Sequence, residues 1–344
     1  MKLCLILAII IPTFFIIGCD EKNELDTIKG DAEVHFKNGL EKCDSEDFVG
    51  AIREFSKAIE INPSFAKAYN ARGVAKRGRE WKSTGIDHIK SMGTIIGIED
   101  YEGISLLVTK YRDRILIKEI EEWKHRLAMA HGREPIFSDG HSQRNSVDST
   151  APIFDFQRAI ELDSNYAEAY YNRSEERSGN INKKLMDLNR TIEIDTNFIK
   201  AYIERGKIKK DFGDYRGAIK DFTRAIKLDS GNITAIYFRA GARVKIKDYL
   251  GAMYDYSRVI EIDSTDAVAY NLRGNVKDRI GNFRGAISDY TSAIDIDRKY
   301  VVALINRGFS KYELHERDGA CQDWSRAGEL GNSVIYKFIK ALCN

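Results

Sequence analysis

The chain has 344 residues, of which 31% are charged and 43% hydrophobic, with only four prolines and a net charge of +2. That mixture suits many amphipathic helices with solvated outer faces, and the length allows two ordinary domains or one long array. The charge is spread along the chain and gives no support to nucleic-acid binding through a basic field, since that requires clustered Lys and Arg.

The first nineteen residues differ from all that follow. Lys2 leads into an apolar run from Leu3 to Ile17, and Ile16-Ile17-Gly18-Cys19 precedes the acidic pair Asp20 and Glu21. About 15 apolar residues are short for a spanning helix, which needs roughly 20, so residues 1–18 read as a signal peptide, with an uncleaved anchor as the alternative. The ending resembles a bacterial lipobox. That resemblance implies acylation of Cys19, which becomes the first residue of the mature protein, with residues 19–31 as a linker. Each buried acyl CH₂ contributes about 0.8 kcal/mol, so the lipid implied would hold the body on a membrane. The expected location is the bacterial cell envelope, on the inner or outer membrane, with the body in the periplasm or at the cell surface. Beyond Cys4 and Cys19 there remain Cys43, Cys321 and Cys343. An exported protein can keep disulfides, so Cys321 and Cys343 are a candidate pair, and small buried thiols are the alternative.

From residue 32 the chain repeats itself. The frame is clearest at Gly206, Ala240, Gly274 and Gly308, which recur with a period of about 34 residues. Twelve residues after each stands Ala218, Ala252, Ala286 or Ala320. Four further on come Phe222, Tyr256, Tyr290 and Trp324, and three more bring Ala225, Val259, Ala293 and Ala327. Small residues at fixed places let two helices approach closely, and the aromatic fills the remaining gap. Asp214, Asp248 and Asn282 supply N-caps for the second helices, while Asp229, Asp263 and Asp297 mark turns between units.

The pattern resembles the tetratricopeptide repeat, which implies an all-α fold: a right-handed superhelical α-solenoid of helix-turn-helix units with a C-terminal capping helix. In chain order, residues 32–65 fit through Gly39, Ala51, Phe55, Ala58 and Pro63. Residues 66–99 fit less well, with Gly85, Ile89 and Met92 where Ala, an aromatic and Ala are expected, but they complete a pair of units over 32–99. A long helical insertion is expected over 101–131, through Leu116, Ile120, Trp123 and Leu127, followed by a polar loop from Gly132 to Thr150. Residues 151–166 read as a half unit whose first helix is lost and replaced by that insertion. Units then follow at 167–198, two residues short, and at 199–232, 233–266, 267–300 and 301–331, with a cap over 332–344.

Two columns of charge share the period. Arg72, Arg173, Arg205, Arg239, Arg273 and Arg307 precede the small residues, and Asp155, Asp187, Asp221, Asp255, Asp289 and Asp323 precede the aromatics. The arginines alone would make a polyanion stripe; the matching aspartates favour ion pairs between the two helices of each unit.

The resemblance also implies a concave face of first helices that binds extended or helical peptides. Its groove positions fall on Asn70; Tyr171 and Glu175; Ile203, Lys207 and Lys210; Tyr237 and Val244; Asn271, Asn275 and Asp278; and Ile305, Phe309 and Tyr312. The six histidines are scattered, and neither a phosphate loop, a nucleophile elbow nor a zinc pattern is present. The expectation is therefore a membrane-tethered scaffold or adaptor for protein or peptide partners, with no catalytic residues, metal, cofactor, small-molecule substrate or nucleic acid. An enzymatic or metal-dependent activity centred on residues 100–150 is the alternative.

Overall fold

The computed structural model describes residues 30–84, 151–177, 179–331 and 335–343. The signal peptide, Cys19 and the expected insertion over 100–150, with His125, His131 and His141, lie outside the described residues. Among the described residues every regular element is an α-helix, and none is long and apolar enough to cross a membrane. Two compact bodies divide them, one holding residues 30–84 and 151–201 and the other the rest.

In the first body, α1 (30–44) and α2 (Phe48–Ile61) form a hairpin in which Gly39 gives up its side chain to the ring of Phe55. Asp47 caps α2 by accepting the Gly50 N–H at 2.9 Å. Next comes α3 (Ala66–Thr84), which packs on α2 and on α4 (Pro152–Leu162). α3 and α4 thus pair as the first and second helices of one hairpin, so α3 stands before the 151–166 half unit, while the second half of the expected 66–99 unit and the expected helix over 101–131 lie outside the described residues.

The physical reason is a complete set of hairpin contacts. Arg72 Nη2 and Nε donate to the two oxygens of Asp155 at 2.7 and 3.2 Å, Lys76 Nζ lies 2.9 Å from Asp155, and Phe156 fills the space over Gly73. In the second body the Arg–Asp pair spans 16 positions, as from Arg205 to Asp221; here it spans 83. The whole surplus of chain thus lies between the two helices of one hairpin. The following hairpin, α5 (Ala167–Glu175) and α6 (Ile181–Ile194), has its pair only 14 positions apart, from Arg173 to Asp187, as its two missing residues require.

The second body carries the regular frame: α7 (Ile199–Asp211, which starts in the first body), α8 (Tyr215–Leu228), α9 (Ile233–Lys245), α10 (Tyr249–Ile262), α11 (Ala267–Arg279), α12 (Phe283–Ile296), α13 (Val301–Glu313) and α14 (Arg317–Glu329). From α8 onward each helix packs on the next. The caps fall where the sequence places them: Asp214, Asp248 and Asn282 accept the N–H of Gly217, Gly251 and Gly285 at 2.9–3.0 Å. Asp229, Asp263 and Asp297 accept the N–H two residues on, closing the turns between hairpins. The aromatic column is buried against the small column, with Phe222 on Gly206, Tyr290 on Gly274 and Trp324 on Gly308. Burying each such ring contributes about 1.5–3 kcal/mol.

The last helix, α15 (Ile335–Leu342), lies within the expected cap and packs on α14. Ile335 and Leu342 are buried in the cluster that contains Trp324 and Ala327. Cys321 and Cys343 are joined in a disulfide, and Cys43 is free and half-buried.

Candidate functional site

The charge columns decide which groups remain for a ligand. Each aspartate is nearly or wholly buried, and both of its oxygens accept from one guanidinium. Arg239 donates to Asp255 at 3.0 and 2.6 Å, Arg273 to Asp289 at 3.0 and 2.7 Å, and Arg307 to Asp323 at 2.9 and 2.6 Å. The third arm of the same arginine reaches back to the preceding hairpin, where Nη1 donates to Thr223, Ser257 or Thr291 at 3.0–3.3 Å. Arg72 does the same to Ser56 at 3.2 Å in the first body. The arginines thus tie hairpins together with all sides engaged, and a polyanion stripe is excluded for them.

A second cation column escapes the sequence reading. Lys76, Arg177, Lys209, Arg243, Lys277 and Lys311 each lie within 2.6–2.9 Å of the same aspartates. The signal is present in the chain: Lys209, Arg243, Lys277 and Lys311 also recur once per repeat, four places after each arginine. Two cations against one buried carboxylate leave each set with a surplus positive charge.

The residues expected in the groove divide into two classes. Asn70, Ile203, Tyr237, Asn271, Ile305 and Phe309 are buried. Their side chains are used inside the fold. In the first body Asn70 Nδ2 donates to the Tyr166 hydroxyl at 3.2 Å and Asn70 Oδ1 accepts from Asn172 at 3.0 Å. Burial, and secondarily the charge of Glu168, pushes the Tyr166 phenol up to about 12, so it stays a neutral partner. In the second body the Tyr237 hydroxyl donates to Asp266 at 2.6 Å, and burial followed by that bond raises its pKa far above the ordinary tyrosine value. Phe309 lies against Trp324 with ring centres 5.1 Å apart. Ile203 and Ile305 are apolar packing.

The remaining expected residues are half-buried and stand over this interlocked layer. Tyr171 meets Phe198 at 5.1 Å and Glu175 meets Lys184 at 3.3 Å in the first body. In the second, Lys207 and Lys210 both sit 5.0 Å from the centre of the Phe238 ring, and Lys207 also bonds Glu204 at 2.7 Å. Val244 packs beside the α9–α10 cluster. Asn275 Oδ1 accepts from the Tyr290 hydroxyl at 2.8 Å and from Asn306 Nδ2 at 2.9 Å. Both bonds fall on its oxygen, so among the described residues its Nδ2 hydrogens have no partner. Asp278 accepts from the Ser310 hydroxyl at 2.7 Å, and Tyr312 stacks 5.9 Å from Trp324. What results is a row that runs from cationic to amide to aromatic, each member fixed from beneath. Among the described residues no three of His, Cys, Asp and Glu converge as a metal site.

A family model of the tetratricopeptide repeat matches residues 199–232 and 267–300, which are two of the hairpins above. No curated protein is significantly similar to the chain in sequence. Among solved structures, YrrB, described as a tetratricopeptide-repeat protein with an unusual peptide-binding site, is 20% identical, with 54% of this chain and 98% of that one covered and a TM-score of 0.49. MamA from Desulfovibrio magneticus RS-1 is 25% identical over 48% of this chain and 96% of its own, at a TM-score of 0.46. A tetratricopeptide-repeat protein from Parabacteroides merdae is 14% identical over 92% of this chain and 100% of its own, at the same TM-score of 0.46.

Proposed function

We propose that this chain, which carries tetratricopeptide repeats, is a protein-interaction scaffold that takes an extended protein segment along the half-buried first-helix row of its second body, and that acylated Cys19 holds it on a membrane of the bacterial envelope. The reading of the row rests on one observation: Lys207, Lys210, Asn275, Asp278 and Tyr312 are fixed by neighbours, and Asn275 keeps amide donors for a ligand's backbone carbonyl. Groups already held in place lose little entropy on binding, which is the main gain available to a shallow surface. The anchor rests on the lipobox-like run ending at Cys19 and on the signal-like segment before it.

Capture from envelope extracts tests the row. A Lys207→Glu, Asn275→Ala variant should retain its principal partner at least about tenfold more weakly than the wild-type chain, the scale of roughly 1.4 kcal/mol. Equal retention would remove the row from the binding surface. The anchor is tested separately by fractionation, since a Cys19→Ala variant should leave the membrane pellet, and continued sedimentation with it would refute acylation as the tether.

A further inference from the structure

The joint between α14 and α15 is built unlike the others in the second body. α15 starts at Ile335, one full repeat period after Val301, so it occupies the place of the first helix of another hairpin. It has eight residues where the others have thirteen. The preceding joints are each tied by an arginine reaching sixteen residues back to a hydroxyl, as Arg307 does to Thr291. In the sequence the corresponding place is Ala341, which has no group to make that bond.

What stands in its stead is covalent. Cys343, immediately after α15, is bonded to Cys321 in α14, and Arg317 Nε donates to the Leu342 carbonyl at 2.7 Å. An eight-residue helix has too few turns to persist in water by itself. Ile335 and Leu342 are buried in the cluster around Trp324, with Ile339 packed against it. The cross-link therefore stands at this joint where the others have an arginine–hydroxyl tie.

We propose that the Cys321–Cys343 disulfide is a redox latch that holds α15 against α14, and that its reduction frees this helix and uncovers the apolar face around Trp324 and Ala327. Closing the latch removes two protons and two electrons from the two thiols; the electrons pass to an external protein or small-molecule disulfide, which leaves as two thiols. Opening is the reverse, with a dithiol as reductant. The remaining described thiol, Cys43, competes poorly for exchange, because burial, and then the charge of Asp44, raises its pKa and keeps it protonated.

Hydrogen exchange on the full chain, air-oxidised and then treated with a phosphine reductant, reads the latch directly. Amides of 336–342 should exchange at least about tenfold faster after reduction while those of α11 and α12 stay unchanged. A Cys321→Ala, Cys343→Ala variant should match the reduced protein whether or not reductant is present. Unchanged protection of 336–342 on reduction, or full protection in the double variant, would overturn the proposal. So would differential alkylation that finds both cysteines free in protein equilibrated with oxidised glutathione.

Discussion

Arg72 clasps Asp155 across 83 positions of sequence with the same two-pronged geometry that Arg205 makes with Asp221 across 16. The hairpin formed by α3 and α4 is therefore closed by its own contacts, whatever lies between them. Removing residues 82–148 restores the 16-position spacing and is expected to leave the first body folded. A shorter connection costs less closure entropy, so the change should be neutral or stabilising by up to about 2 kcal/mol, with the exposed Lys82–Glu46 pair contributing nothing measurable. Circular dichroism and thermal melting check this; loss of helix from α3 and α4 would show that the inserted residues hold the hairpin together.

The buried carboxylates are expected to be the most sensitive polar positions in the chain. Asp255 is wholly inaccessible and faces both Arg239 and Arg243, so Asp255→Ala strands two cations at once. Breaking such a site from the carboxylate side should cost about 3–5 kcal/mol. Arg243→Ala removes only one of the two cations, and Arg239 still satisfies both oxygens, so a smaller loss is expected. Urea unfolding of the two variants should rank them in that order.

The glycine–aromatic contacts make a second, steric prediction. A Cβ on Gly206 would lie 2.6 Å from the Phe222 ring, closer than packed atoms allow. Gly206→Ala should therefore destabilise by about 1–3 kcal/mol, and nearer the lower end, because Ala240 occupies the same place against Tyr256 one repeat later. Adding Phe222→Leu should recover part of the loss in a double-mutant cycle, which a backbone effect at Gly206 would not permit.

How far the sequence can be read follows from what a period does and does not encode. Caps at Asp214, Asp248 and Asn282, the Arg–Asp pairs and the aromatic column are legible, because local hairpin packing demands those residue types at those spacings. The α3–α4 partnership is not. The excess of 83 positions over 16 is one short of two repeat periods, so the frame downstream stays almost in phase and residues near Gly85, Ile89 and Met92 resemble a second helix. The groove is legible only in part, since burial of Asn271 depends on what the next hairpin presents, here Asn306, whose amide donates to it at 3.2 Å. The second cation column shares the period, yet it is masked in the sequence because one arginine per aspartate already balances the charge.

The first hairpin lacks the two-cation arrangement and depends on a titratable contact instead. Asn38 stands where later repeats have arginine, Lys42 bonds Asp47, and Glu54 takes the aspartate's place. Glu54 is contacted by His35 Nδ1 at 2.7 Å and by Lys57 at 2.9 Å. The hydrogen bond from His35, and then that from Lys57, hold the Glu54 carboxyl below the usual 4.5. A carboxylate with a depressed folded-state pKa contributes stability that is complete above its unfolded value and is lost as pH falls through the folded one. The α1–α2 hairpin should accordingly lose exchange protection as pH falls through the depressed folded-state pKa of Glu54. Carbon-13 titration of the Glu54 carboxyl gives the direct reading. A midpoint below 4.5 that moves upward in His35→Ala is the expected result, and an unchanged midpoint in that variant would assign the depression to Lys57 alone.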